Sequence, residues 1–385
     1  MESRVQARVV EPADGRERGF WEHWVHYPYE VEYATIEHQG RAWQLAYMDV
    51  GERRAGTKTL VIIHGKGANS GHYGDVIESA VAEGVRVIAI DMPHFGKSIA
   101  GNLENPITRT LDDIRVMIHE LVVRRLGVAR AAYFGHSLGG QVVIGYAMSY
   151  PEAVTALLLE APAGLEEFWP EVDYKFADAM RSSVSAWLLV WRDALRDEFR
   201  KNADVIEDMF ARRETLPYAR PEDDTHFEFV TAPTSFGYFI EPEAPYARFL
   251  TDCRVQMIHA AKHSSPNRRQ LETWCAAYVR DVYSIGSEVR VSDPNSLPKR
   301  VARGDLKCPR VLLQFGLDEP FIPNASLSGK HSLRDDIIAP FVSSLERHGV
   351  AVELRLYDKA AHFPHTDVGD TFKHDVVRFL QTLDE

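Results

Sequence analysis

Short apolar runs alternating with helical stretches constrain this chain more than any other feature. TLVIIHG (59–65), VRVIAID (85–91), RAAYFGH (130–136) and VTALLLEAP (154–162) are almost continuously hydrophobic, so strands built from them need cover on both faces. Helical patterns fall between them, around Asp75 to Glu83, Leu111 to Leu126 and Leu138 to Met148. A mostly parallel sheet with helices on both sides satisfies that demand. Ahead of these runs, EVEYATIEHQGRAWQLAYMDVG (30–51) reads as an antiparallel hairpin turning at His38 to Arg41.

The alternation stops after Gly164, where the pattern becomes mainly helical and rich in aromatics, and resumes with CPRVLLQFG (308–316) and VELRLYD (352–358) before a last helix from Gly369. The expectation is an α/β fold with a mostly parallel sheet of about eight strands. Residues 1–164 and 306–385 would form its core domain, and 165–305 a helical cap inserted after the sixth strand. The 385 residues, 45% of them hydrophobic and 26% charged, match an ordinary soluble protein. A net charge of -12 with scattered Lys and Arg argues against nucleic acid or an anionic membrane as partner. MESRVQARVVEPADGRERG contains no apolar stretch of the length a secretory signal or membrane span requires, which points to the cytoplasm. Cys253, Cys275 and Cys308 are too few and too far apart for a disulfide framework or zinc site and are expected as buried thiols.

Gly135-His136-Ser137-Leu138-Gly139 fits G-x-S-x-G between a strand and a helix. A serine on so sharp a turn needs neighbours without side chains two positions to either side, which accounts for both glycines. The turn lifts the hydroxyl off the sheet and leaves the Leu138 amide at a helix N-terminus, where it can meet a developing oxyanion. A serine hydroxyl needs a base, and the base needs an orienting carboxylate. His362 in YDKAAHFPHTD, after the last strand, is the base candidate; His365 near the start of the following helix is expected to be solvated or capping. For the acid, QFGLDEPFIP offers Asp318 and Glu319 side by side. Glu160 is a third candidate, because it interrupts the apolar run LLLEAP, where an unpaired carboxylate would be costly.

HGKG (His64 to Gly67), DMPHFGKS (Asp91 to Ser98), GHSLGG (Gly135 to Gly140), EAPAGL (Glu160 to Leu165), GLDEPFIP (Gly316 to Pro323) and AAHFPH (Ala360 to His365) together resemble the α/β-hydrolase superfamily. The likeness is to its capped, lipase- and esterase-like branch, which also contains carbon–carbon bond hydrolases. It covers about residues 30 to 165 and 305 to 385. The resemblance implies Ser137 as nucleophile and His362 as base. The family's usual position for the acid falls on Glu319, between Gly316 and Pro323, although the family far more often has Asp there. It also implies the Lys66 amide as second oxyanion donor and a packing role for His64. His94 stands where relatives commonly have glycine and is expected on a surface loop or at the rim of the site.

The function expected is that of a serine hydrolase without cofactor or metal, cleaving a carboxylic ester of an apolar or aromatic small molecule through an acyl-enzyme. The aromatics Phe168, Trp169, Phe176, Trp187, Trp191, Phe236, Tyr238 and Phe239 point to such a substrate under the cap. Alternatives on the same triad are carbon–carbon bond, lactone or amide hydrolysis. A cofactor-free lyase or oxygenase and a non-catalytic ligand-binding protein are further alternatives on the same fold.

Overall fold

The structure, a computed structural model, describes residues 19–23, 25–54, 56–98, 110–169 and 265–383. The strands are β1 (Glu32–His38), β2 (Arg41–Val50), β3 (Thr59–Ile63), β4 (Arg86–Ile90), β5 (Ala131–His136), β6 (Val154–Glu160), β7 (Arg310–Gly316) and β8 (Ala351–Tyr357). They form one 8-stranded sheet in the order β1-β2-β4-β3-β5-β6-β7-β8. β2 runs antiparallel to β1 and β4, and all other neighbours are parallel. The hairpin turns through Gln39 and Gly40 at φ 52 and 72, both positive as a two-residue turn between twisted strands requires.

The helices that cover this sheet include α1 (Gly74–Ala82), α2 (Leu111–His119), α3 (Leu138–Ser149), α4 (Ser265–Glu288), α5 (Leu297–Ala302), α6 (Ala339–Arg347) and α7 (Gly369–Gln381). Alternate residues of each strand enter opposite cores, as the period of two demands. Val61 and Ile63 join Ile114, Val142 and Phe341 on the side of α2, α3 and α6. Leu60 and Ile62 join Ile77, Phe372 and Val376 on the side of α1 and α7. The helix expected over 111 to 126 changes winding part-way: α2 ends at His119, and Glu120–Arg125 continue as a π-helical segment.

β3 lies between β4 and β5, so the chain leaves the C-terminal ends of β3 and β5 toward opposite edges of the sheet. Ligands in open α/β sheets bind in the crevice that such a reversal opens. Of the expected cap, residues 170–264 lie outside the described residues, and with them Phe176, Trp187, Trp191, Phe236, Tyr238 and Phe239. Within the long connection from β6 to β7, Phe168 bridges to Arg290: the Phe168 amide donates to the Val289 carbonyl at 2.8 Å, and the Val291 amide donates to the Phe168 carbonyl at 3.2 Å. Trp169 is exposed. Cys308 is a buried free thiol whose pKa burial pushes up to about 12; Cys253 and the Cys275 side chain lie outside the described residues. Among the described residues no helix is long and apolar enough to cross a membrane, and no His, Cys, Asp and Glu group could hold a metal ion.

Candidate active site

β5 runs into α3 through Ser137, whose backbone stands at φ 52 and ψ -118. A non-glycine residue there stores strain of about 1–3 kcal/mol and persists only where its surroundings fix it. They do. The Ser137 amide donates to the Glu160 carbonyl at 3.0 Å, and the Ser137 carbonyl accepts from the Ala163 amide at 2.9 Å. A Cβ on Gly135 would overlap the Gly139 carbonyl, and one on Gly139 would overlap the Ile63 and His64 carbonyls, so the elbow closes only with glycine at both positions. Gly140, outside the five-residue pattern, is held the same way against Pro162.

Leu138 opens α3, so its amide is one of the first-turn N–H groups that no carbonyl of the helix can take. The HGKG turn borders the same place: a Cβ on Gly65 would stand 3.3 Å from Ser137 Cβ. This turn is closed by the Ala68 amide donating to Gly65 at 3.2 Å, with Gly67 at φ 73 and Lys66 half-buried within it. His64 is fully buried beneath it. Its Nδ1–H donates to the Gly65 carbonyl at 2.8 Å and its Nε2 accepts from the Met92 amide at 2.9 Å. Burial lowers its pKa, which keeps the ring neutral and fits that pairing.

His362 follows β8, ahead of the one-turn helix Pro364–Asp367. Its Nδ1 lies 2.9 and 2.8 Å from the two carboxylate oxygens of Glu319, whose side chain is 0% exposed. Glu319 Oε1 also accepts from the Phe321 amide at 2.8 Å, and the Phe321 ring meets the imidazole edge-on at 4.8 Å. A carboxylate can only accept, so the proton sits on Nδ1 and the Nε2 lone pair faces away from Glu319, the tautomer a general base requires. The His362 carbonyl accepts from His136 Nε2–H at 2.8 Å, and the two rings lie 4.8 Å apart, which ties the loop to the residue before Ser137. Burial, then the neighbouring His362 and His365, hold His136 well below the 6.5 usual for histidine.

The three carboxylates considered from the sequence therefore separate. Glu319 meets His362. Asp318 is exposed, and its amide donates to the Ala360 carbonyl at 2.9 Å. Glu160 meets His365 instead: its Oε1 accepts from the His365 amide at 2.7 Å, and His365 Nδ1 lies 2.8 and 2.9 Å from its two oxygens. His365 is thus buried and paired, contrary to the solvated or capping role expected from its place near a helix start. The only trace of its partner in the sequence is a carboxylate inside LLLEAP, 205 residues away. His94 also departs from expectation. It is 1% exposed rather than on a surface loop, and packs edge-on against Trp43 at 5.1 Å with φ 72, which explains why glycine suits that position.

An eight-stranded sheet of this order, with a strained serine turn after β5, defines a class of fold, that of the α/β hydrolases. The family model described as serine aminopeptidase, S33, matches residues 55–216. Over 131 residues, 33% of this chain and 43% of the relative, the chain is 31% identical to a 2-hydroxy-6-oxononadienedioate/2-hydroxy-6-oxononatrienedioate hydrolase of Paraburkholderia phymatum. The protein of the same name from Escherichia coli is 29% identical over 130 residues, with 33% of this chain and 43% of the relative covered. The match thus spans less than half the length of these relatives. Among solved structures, a probable hydrolytic enzyme from Pseudomonas aeruginosa superposes with a TM-score of 0.57 at 22% identity, covering 94% of this chain and 98% of that one. A thermophilic esterase from Thermogutta terrifontis gives 0.53 at 17% identity, covering 92% and 100%. These two likenesses concern the fold.

Proposed function

We propose that this protein is a serine hydrolase that cleaves a carboxylic ester of an apolar or aromatic small molecule. The observation that carries the reading is the buried Glu319–His362 pair, tied through the His362 carbonyl to the strained turn that presents Ser137. In this reading Ser137 attacks the carbonyl carbon while His362 Nε2 takes its proton. Glu319 holds the imidazole in the required tautomer and stabilises the imidazolium that forms. The Lys66 and Leu138 amides stabilise the tetrahedral oxyanion. The imidazolium then protonates the leaving alcohol, and water, deprotonated by the same ring, releases the acid. Residues 165–305 would act as the cap over the site, and no step calls for a metal or organic cofactor.

A second reading, cleavage of a carbon–carbon bond beside a ketone by the same residues, is favoured by the similarity to hydrolases named for 2-hydroxy-6-oxononadienedioate, a compound that carries a ketone. A fluorophosphonate probe tests the shared core of both readings. The wild type should become covalently modified at Ser137, Ser137→Ala should not, and His362→Ala should react slower by several powers of ten. An intact wild-type protein that resists the probe would sink both readings and favour a binding protein. Turnover of p-nitrophenyl esters against a vinylogous diketone separates the two.

A further inference from the structure

Glu160 ends β6, in register with His136 of β5 on one side and Gln314 of β7 on the other, and is 0% exposed. A carboxylate in such a place must be met by donors. Both donors come from one residue, the amide and the Nδ1–H of His365. Glu160 has a second attachment, since its main-chain carbonyl accepts the Ser137 amide at 3.0 Å. One residue therefore grips the nucleophile turn with its backbone and the loop of the base with its side chain. His362 lies three positions before His365, and its own carbonyl is bound by His136, the β5 residue opposite Glu160 in the sheet. The His365 ring is further sandwiched, stacked on Tyr73 at 4.7 Å and edge-on to Phe372 at 6.2 Å.

We propose that Glu160 and His365 are positioning residues that register His362 against Ser137, an inference that rests on the serine-hydrolase reading above. His362 stands on a connection between β8 and α7, and connections move more than the elements they join. Glu319 fixes the ring's tautomer and plane from β7, on the far side of β6 from the elbow. It does not fix how far the loop stands from the elbow. The Glu160–His365 pair does, because it pins that loop to the strand whose carbonyl holds the Ser137 amide. Neither residue contacts the reacting atoms. Their contribution is to the separation of Ser137 Oγ and His362 Nε2, and misplacement by about 1 Å can slow a reaction roughly a hundredfold.

The test is the rate of fluorophosphonate labelling at Ser137, resolved into reversible affinity and the covalent rate constant, with near-UV circular dichroism as the check on folding. Glu160→Gln keeps an acceptor for the His365 amide but turns a donor or a weaker acceptor toward Nδ1. We expect its covalent rate constant to fall on the order of 10- to 100-fold while affinity for the probe changes by less than about threefold. His365→Ala should fall equally. His365→Asn, whose side-chain N–H stands close to where Nδ1–H does, should recover most of the loss. Wild-type covalent rates in folded Glu160→Gln and His365→Ala would overturn the proposal and leave a purely structural pair. So would His365→Asn labelling as slowly as His365→Ala. If Glu160→Gln does not fold, the two His365 variants decide alone by the same criteria. A wild type that fails to label overturns the serine-hydrolase reading, and this inference with it.

Discussion

Glu319 and Asp318 are neighbours in the chain but occupy opposite environments, and that difference sets what each can do. The β7 strand ends at Gly316, where a Cβ would overlap the Ala360 and Ala361 carbonyls, so the turn after β7 is pressed against the loop that carries His362. The Leu317 and Asp318 amides then donate to the Tyr357 and Ala360 carbonyls at 2.9 Å, which rotates the next side chain inward and leaves that of Asp318 in solvent. Replacing Glu319 by Gln should therefore lower turnover or probe labelling by about 10⁴-fold, because an amide cannot hold the base in the same tautomer. Asp318→Asn should stay within about twofold of wild type, as expected for an exposed side chain away from the reacting groups. Equal losses from both would refute the assignment. Local reasoning reached this pair but could not separate its members, since inward and outward are decided by hydrogen bonds to a loop some forty residues downstream. The same limit hid His365, whose partner is on another strand, and His94, whose burial depends on Trp43.

At the scale of elements, the contact between α3, which follows Ser137, and α4 runs through charged and polar side chains. Arg115 of α2 is buried, and its guanidinium reaches the Glu288 carboxylate at the end of α4 at 2.7 and 2.9 Å. It also donates to the Gln141 and Val142 carbonyls of α3 at 3.0 and 3.1 Å and to Asp112 at 2.7 Å. Gly145 makes room, for a Cβ there would overlap the guanidinium. Gln141 adds bonds from its side-chain amide to Glu288 at 3.1 Å and to the Ile285 carbonyl at 3.3 Å, so α3 is also tied to α4 directly. Arg115→Ala strands a half-buried carboxylate and two helix carbonyls, and breaking one side of such a pair typically costs about 3–5 kcal/mol. Urea unfolding should show that loss. A variant within about 1 kcal/mol of wild type would mean that water replaces the guanidinium at little cost. Existence and order of these helices follow from apolar periodicity; a cation inside LDDIRVMIH does not announce its burial, because Glu288 lies 173 residues away.

For the whole molecule, the sheet was readable from the chain because its strands are buried on both faces and so print nearly pure apolar runs, from TLVII in β3 to VLLQFG in β7. Of the strand order, only the first pairing was readable, because a short turn joins the first two strands. What no local pattern carries is the set of polar groups that the finished core encloses. Two of them predict how the fold responds to acid. His64 and His136 lie at the ends of β3 and β5, fully enclosed, and burial lowers the pKa of both below 6.5, with His362 and His365 depressing His136 further. Above about pH 6.5 both states of the chain leave these rings neutral, and they contribute no pH dependence. As pH falls below that value the unfolded chain takes up protons that the native state refuses, so stability is full above 6.5 and declines toward the native pKa values. Each ring adds a slope of up to about 1.4 kcal/mol per pH unit in that window. His136→Gln can still donate from its side-chain amide to the His362 carbonyl but cannot titrate. Urea unfolding at pH 7.5, 6.5 and 5.5 should therefore give a shallower decline for this variant than for the wild type below 6.5, with parallel behaviour above it. Identical slopes throughout would mean that the native state accommodates the charged ring, and that the enclosure of His136 by the loop of His362 opens readily in acid.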